Sequence, residues 1–380
     1  MKITIAIDSF KGSLTSLEAG ESAAKGIRKV YPDADICVRP LADGGEGTVQ
    51  ALAAGCDGNI RTIKVTGPLG QTIECEYGII EETKTAIIEM SAAAGITLVT
   101  DKERNPLYTT TFGVGEIIKD AIKTGCRHFI VGIGGSATND GGIGMLQALG
   151  FGIMDKSDTP VPLGAIGLKE LDHITYDNVI SRLNECTFRI ACDVTNPLCG
   201  SNGCSTIFAP QKGASPEMIT QMDKWLSHYA DIAKESRQKA DPDHAGAGAA
   251  GGLGFAFLTF FNASLESGVK IVLDETRLCD YIKDSDIIIT GEGCLDGQTV
   301  MGKAPIGVAK IAKKYGKPVI AFSGCVTKDA VRCNNVGIDA FFPIIRSVTS
   351  LEKAMNTENA KNNMEDTVEQ VFRLLTIKNI

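Results

Sequence analysis

At 380 residues, 43% of them hydrophobic and 22% charged, the chain has the composition of a globular protein and exceeds the roughly 250–300 residues at which a single hydrophobic core stops growing. A formal charge of −8 and a pI near 5.2 exclude nucleic acid as the main partner, because that binding rests on a basic footprint; a nucleotide needs only a local cluster. No stretch approaches the ~20 apolar residues of a membrane span, and the 12 cysteines form no C-x-x-C pair, so they read as reduced thiols rather than disulfides or a zinc site.

The opening MKITIAIDSFKGSL reaches Asp8 and Lys11 too soon for a signal peptide. Residues 3–7 (ITIAI) read as a buried first strand, followed by the loop KGSLTS and a helix over about 16–30. ICVRPL at 36–41 predicts a second strand that ends in Ala42-Asp43-Gly44-Gly45-Glu46-Gly47, and a helix starts near Thr48. Strand, glycine loop and helix in succession is the rhythm of a parallel α/β sheet. After Gly67-Pro68-Leu69-Gly70 the character changes. A hairpin is expected from 73–80 and 85–90, then a helix at 113–124, a strand at 128–134 and a helix near 142–149. A long polar helix follows at 215–238 and an apolar one at 250–262. The first rhythm returns with the strand DIIIT at 286–290, a helix over 305–315, strands at 318–324 and 339–344, and a last helix at 362–376. The expected fold class is therefore α/β, with a doubly wound domain built from both chain ends, residues 1–66 and 281–380, and residues 67–280 inserted as a larger α/β domain.

Two motifs mimic familiar nucleotide fingerprints and fail them. Gly132-Ile133-Gly134-Gly135-Ser136-Ala137 fits G-x-G-x-x-A after a strand, with Asp155 about 20 residues on, as dinucleotide binding requires. The loop, however, runs on through Thr138-Asn139-Asp140-Gly141-Gly142, whereas the fingerprint needs a helix at once. Gly297 to Lys303 matches the G-x-x-x-x-G-K of a P-loop, but Ala304 stands where Ser or Thr would bind magnesium. A third glycine run, Gly246 to Gly251, has no strand before it and reads as close packing at the start of an apolar helix.

What remains is a set of five polar loops, four of them after a predicted strand: Asp8 to Ser13, Ala42 to Thr48, Gly134 to Gly142, Ala191 to Pro197, and Thr290 to Gly293 with Asp296, Gln298, Thr299 and Lys303. Ligands of α/β sheets sit outside the carboxyl ends of strands. Glycines let backbone N–H groups approach oxyanions, lysines add charge, and carboxylates recruit Mg²⁺. Phosphoryl transfer asks for this combination, being mainly positioning plus charge neutralisation. Taken singly, each loop is an ordinary turn: Asp8 could cap the helix over 16–30, and Asp43 and Asp140 sit beside glycines as turn residues do. With four histidines in the chain, proton transfer falls to a carboxylate or lysine.

These segments also carry a family resemblance. SFKGSL, PLADGGEGT, TGPLG, GIGGSATNDGG, ACDVTNPLCG and TGEGCLDGQTVMGKAPIGVAKIAKK together resemble the bacterial glycerate kinase family, the type unrelated to P-loop kinases, over essentially the whole length. The resemblance implies ATP-dependent phosphorylation of D-glycerate with Mg²⁺, at the 2-hydroxyl, by a cytoplasmic enzyme. It also implies a Rossmann-like domain from both chain ends, a larger inserted domain and a site in the cleft between them. Residue roles follow as expectations: Asp193 orients or deprotonates the hydroxyl, with Lys11 and Asn196 beside it in catalysis. Gly134, Gly135, Ser136, Thr138 and Asn139 form a phosphate cradle, with Glu292, Gln298, Thr299 and Lys303 also on the nucleotide. Ser9, Lys11, Asp43 and Gly44 contact glycerate, and Asp43, Asp140 and Asp296 hold Mg²⁺. Which carboxylate is base and which is metal ligand stays open at this level, as does a homo-oligomer. The partners implied are small molecules, with neither nucleic acid nor membrane. Two other readings compete: an NAD-dependent hydroxy-acid dehydrogenase resting on Gly132 to Ala137, and a non-catalytic metabolite-binding protein.

Overall fold

The computed structural model describes residues 1–377. The chain is an α/β protein and divides into two compact units: Met1–Asp43, Gln50–Asp57 and Val269–Ile380 form the first, Gly44–Val49 and Gly58–Gly268 the second.

The first unit is built on a five-stranded sheet in the order Ala340–Pro343, Val319–Val326, Ile287–Leu295, Lys2–Ile7, Asp35–Val38, every pairing parallel. Its central strands are near-continuous apolar runs because both faces of a parallel sheet are covered. Ile3, Ile5 and Ile7 join one core with helices Ser16–Arg28 and Thr357–Thr376. The first of these helices starts with a capping box, in which Thr15 Oγ1 accepts from Glu18 N–H while Glu18 reaches back to Thr15 N–H, so the cap lies here and not at Asp8. The two helices cross closely at Gly26, where a Cβ would lie 2.3 Å from the Glu365 carbonyl oxygen.

Two strands differ from expectation. The strand of 36–41 stops at Val38, two residues before Pro40, which has no N–H to give a ladder. The strand of 286–290 instead continues to Leu295, so Gly291, Glu292 and Gly293 are strand residues, with Gly291 opposite Phe322 and Glu292 opposite Ser323 on the neighbouring strand. A side chain at 291 would meet the Phe322 carbonyl oxygen at 2.0 Å. The glycine there serves strand contact, and the fifth loop begins only at Asp296.

The second unit carries a six-stranded mixed sheet in the order Ala263–Glu266, Thr187–Ala191, His128–Gly132, Thr85–Glu89, Thr72–Ile80, Asn59–Thr66. The first four strands are parallel, and the last three form an antiparallel meander that contains the expected hairpin. Phe129, Phe188, Phe257 and Phe261 centre its core. The apolar helix Ala249–Phe260 begins with three left-handed residues, Ala250, Gly251 and Gly252. Gly248 and Gly251 press against the Pro197 and Thr138 carbonyl oxygens, which a Cβ would meet at 2.2 Å. That run of glycines is close packing, as its sequence context suggested.

Candidate active site

At the carboxyl end of the first unit's sheet, Ile7 pairs with Gly291, so the next residues, Asp8 and Glu292, emerge side by side. Both are 8% exposed. They line a cavity of about 440 Å³ with Ser9, Lys11, Asp43, Gly293 and Lys303. Its other wall is apolar, with Phe10, Ile344, Leu351 and Met355. Asp8 Oδ1 accepts from Ser9 N–H at 2.7 Å. Burial, and then the neighbouring Asp43 and Glu292 charges, nevertheless push its carboxyl up to about 7 against the Ser9 bond and Lys11. Burial also pushes the Glu292 carboxyl above its usual range, partly offset by the Thr299 hydroxyl and Lys303. Lys11 Nζ lies 3.6 Å from Asp43, and Lys303 Nζ lies 3.5 Å from Glu292 and 3.8 Å from Asp296.

Asp296 opens a turn in which its Oδ1 accepts the Gln298 and Thr299 N–H groups at 2.8 and 3.1 Å. Thr299 Oγ1 donates to Glu292 Oε1 at 2.7 Å. Lys303 stands immediately before helix Ala304–Lys314, where free backbone N–H groups favour anions. The Gln298 side chain is exposed.

In the second unit, the loop after strand His128–Gly132 does not reach a helix until Ile143. Asp155 follows strand Gly152–Met154, which pairs antiparallel with His173–Thr175 in a separate two-stranded sheet. Neither feature is that of a dinucleotide-binding βαβ unit. Within the loop Gly134 and Gly135 are exposed, Ser136 is 7% exposed, and Thr138, Asn139 and Asp140 are wholly buried. Asn139 Nδ2 donates to Ser205 Oγ at 2.9 Å. Asp140 accepts from Thr111 N–H and Oγ1–H, both 2.9 Å, and from Gly142 N–H at 3.1 Å. A carboxylate enclosed in this way ties the loop to residues 110–112; it is not presented to a metal. Asp193 is exposed just past strand Thr187–Ala191 and accepts from Gly268 N–H at 3.3 Å. Asn196 Nδ2 donates to the Asn202 carbonyl, and its own carbonyl accepts from Gly248 N–H, which holds the turn that follows Asp193. Gly44 is buried at φ 89°, and a Cβ there would lie 2.7 Å from both Ala191 Cβ and Gly268 Cα.

The first unit thus brings Ser9, Lys11, Asp43, Glu292, Asp296, Thr299 and Lys303 together, and the second gathers Gly134 to Thr138, Asn139 and Asp140 on one loop. Three residues were not marked as site residues from sequence. Asp8 heads the first of the five polar loops but carried no site role of its own, although an aspartate ending an apolar strand is its signal. Glu89 is half-buried and accepts the Val49 N–H at 2.8 Å near the start of helix Thr48–Gly55. Lys212 is 2% exposed and carries no signal at all in APQKGAS.

Among the described residues no three His, Cys, Asp or Glu side chains are grouped to cage a metal ion. Crowded carboxylates that resist ionisation nevertheless fit a cation that arrives with phosphate oxygens, since Mg²⁺ commonly takes only one or two protein carboxylates.

Sequence and structure comparisons agree with this chemistry. The model of the glycerate kinase family matches residues 3–376. A glycerate kinase of Haemophilus influenzae is 48% identical over 378 residues, all of both chains. A glycerate 2-kinase of Escherichia coli is 48% identical over 354 residues, 93% of each. A crystal structure assigned as glycerate kinase 2 from Salmonella typhimurium LT2 superposes with a TM-score of 0.91 at 45% identity, covering 99% of this chain and 98% of that one. The chain therefore belongs to the glycerate kinase family, and it is a kinase.

Proposed function

We propose that the chain transfers the γ-phosphoryl group of ATP to the 2-hydroxyl of D-glycerate, yielding 2-phosphoglycerate and ADP. The observation that carries this reading is the cavity at the carboxyl end of the parallel sheet, where Asp8, Asp43 and Glu292 face Lys11 and Lys303. Phosphoryl transfer needs charge neutralisation and fixed geometry more than covalent chemistry. Lys303, Gln298 and Thr299 serve the nucleotide, with Glu292 holding the Lys303 ammonium in place. Ser9 and Lys11 serve glycerate, Lys11 as the cation for its carboxylate. Asp43 and Asp296 would hold Mg²⁺, which supplies charge neutralisation to the phosphate oxygens when bound. Gly44 acts through its shape, admitting close approach at the strand ends.

In the second unit Gly134, Gly135 and Ser136 cradle phosphate oxygens. Asp193 takes the proton of the glycerate hydroxyl as its oxygen bonds to phosphorus, and Asn196 keeps its turn rigid. Thr138, Asn139 and Asp140 maintain the loop and do not touch ligand. The all-parallel order of the first sheet, with strands from both chain ends, supports reading the first unit as a doubly wound Rossmann-like domain and the second as an insertion. No helix among the described residues is long and apolar enough to cross a membrane, and a cytoplasmic location fits such an enzyme.

³¹P NMR of the products from ATP, Mg²⁺ and D-glycerate tests the reaction, with 2-phosphoglycerate expected; any product other than a phosphoglycerate sinks the substrate assignment. Asp193→Asn is expected to lower kcat ~10²–10⁴-fold, the usual contribution of a general base. A kcat within about threefold of wild type would remove Asp193 from that role.

A further inference from the structure

Lys212 ends the short turn Pro210–Lys212, closed by Gly213 at φ 93°. Its Nζ donates to Ser136 Oγ at 2.7 Å and to the Thr138 carbonyl oxygen at 2.6 Å. Among the described residues it makes no ion pair. Burial lowers its ionisation to about 8, with Cys204 and Asp140 offsetting part of the effect. An ammonium held by two neutral oxygens in the interior is a net burden on stability, and replacing such a charge with an apolar group of similar size is often neutral or stabilising. Its consequence must be sought in the field and the hydrogen bond that it imposes on the loop above it.

That hydrogen bond has one direction only. An ammonium donates and never accepts, while a hydroxyl does both. Ser136 Oγ must therefore accept from Lys212, and its own proton must point elsewhere. The surrounding backbone is pinned independently: Ile96 N–H donates to the Gly135 carbonyl, Ala137 N–H to the Ala94 carbonyl, and Thr109 Oγ1 to the Ala137 carbonyl at 2.8 Å. No acceptor for the Ser136 proton occurs among the described residues. It lies next to the exposed Gly134–Gly135 turn.

We propose that Lys212 is a positioning residue for phosphate: it fixes the Ser136 hydroxyl as an outward donor and places a buried positive charge behind the Gly134–Gly135 turn. The proposal rests on the reading of that turn as the cradle for the nucleotide phosphates. A hydroxyl already accepting from a cation is a stronger donor, and hydrogen bonds with a charged partner are about twice as strong as neutral ones.

The test compares Lys212→Met, Ser136→Ala and the double variant by KM for ATP, KM for D-glycerate, kcat and thermal midpoint. Lys212→Met is expected to raise KM for ATP about tenfold, with KM for glycerate within about twofold and the midpoint no lower than wild type. Ser136→Ala should change ATP binding in the same sense, and the double variant should be no worse than the worse single one, because both remove one unit. A lowered midpoint with unchanged KM values, a rise confined to glycerate, or full additivity would each overturn the proposal. Lys212→Gln, which keeps a neutral donor, replaces the Met variant if that one does not fold and should show a smaller rise in the same direction. Calorimetric binding of ATP to wild type and variant reads the same tenfold change without turnover. Failure of this proposal is thus distinguishable from failure of the glycerate kinase reaction itself.

Discussion

Asp8→Asn should stabilise the protein at pH 8. The wild-type carboxyl ionises at about 7, against an ordinary value of 3.8. At 1.36 kcal/mol per pH unit of displacement, the ionised form disfavours the fold by about 4 kcal/mol. The sign follows from linkage: between pH 4 and 7 the native state holds a proton that the unfolded chain has released, so stability is full below about pH 4 and falls as the pH rises. The loss is complete just above pH 7. Asparagine carries no charge at any pH, so the difference between variant and wild type should be small near pH 4, widen to pH 7 and then level off. Denaturant titrations at half-unit pH steps measure it, and the absence of nucleotide and divalent cation in the buffer keeps the carboxylate cluster uncompensated. Asp43→Asn should reproduce part of the effect, since the Asp43 charge follows burial as a cause of the displacement. A stability difference that stays flat between pH 4 and 8, or favours wild type at pH 8, would refute the account of Asp8 as a desolvated carboxyl beside other carboxylates.

Gly44→Ala should destabilise by about 1–3 kcal/mol through overpacking, because the added methyl lies 2.7 Å from Ala191 Cβ and Gly268 Cα on a left-handed backbone; the denaturant midpoint reads this. Thr299→Val removes the hydroxyl that donates to Glu292 and helps hold its ionisation down. Glu292 should then ionise at higher pH, so the acid limb of kcat/KM for ATP should move upward in pH; an unmoved limb would detach Glu292 from nucleotide binding.

The elements most legible in the sequence were those with long apolar periodicity. Residues 3–7, 128–132 and 216–236 form strand, strand and helix as their patterns require, and the EETK hairpin pairs as expected. Glycine misled where it acts by contact. Gly291 and Gly293 read as a loop after DIIIT, yet both lie in the strand, and at Gly291 the neighbouring strand passes too close for a side chain. The loop chemistry was legible as composition but not as exposure. Asp43 and Asp140 look alike in sequence, each beside two glycines; one lines a cavity and the other is sealed under Thr111. Lys212 lies 76 residues from Ser136, and nothing local to APQKGAS separates a buried lysine from a solvated one.

Each unit holds charge that its own residues do not balance, and the two imbalances have opposite sign. In the first, Asp8 and Glu292 resist ionisation because they are buried, and Lys303, 3.5 Å from Glu292 and partly exposed, is too screened to offset that burial. A cation would relieve that strain. In the second, the Lys212 ammonium bonds only neutral oxygens, with the Asp140 carboxylate offsetting part of its burial, and Ser136 turns a hydroxyl proton away from it; an anion would relieve what remains. A protein that merely needed stability would have paired such groups or replaced them with apolar ones. Unbalanced buried charge of this kind is what an acidic kinase without a P-loop or a dinucleotide fingerprint can offer to charged ligands.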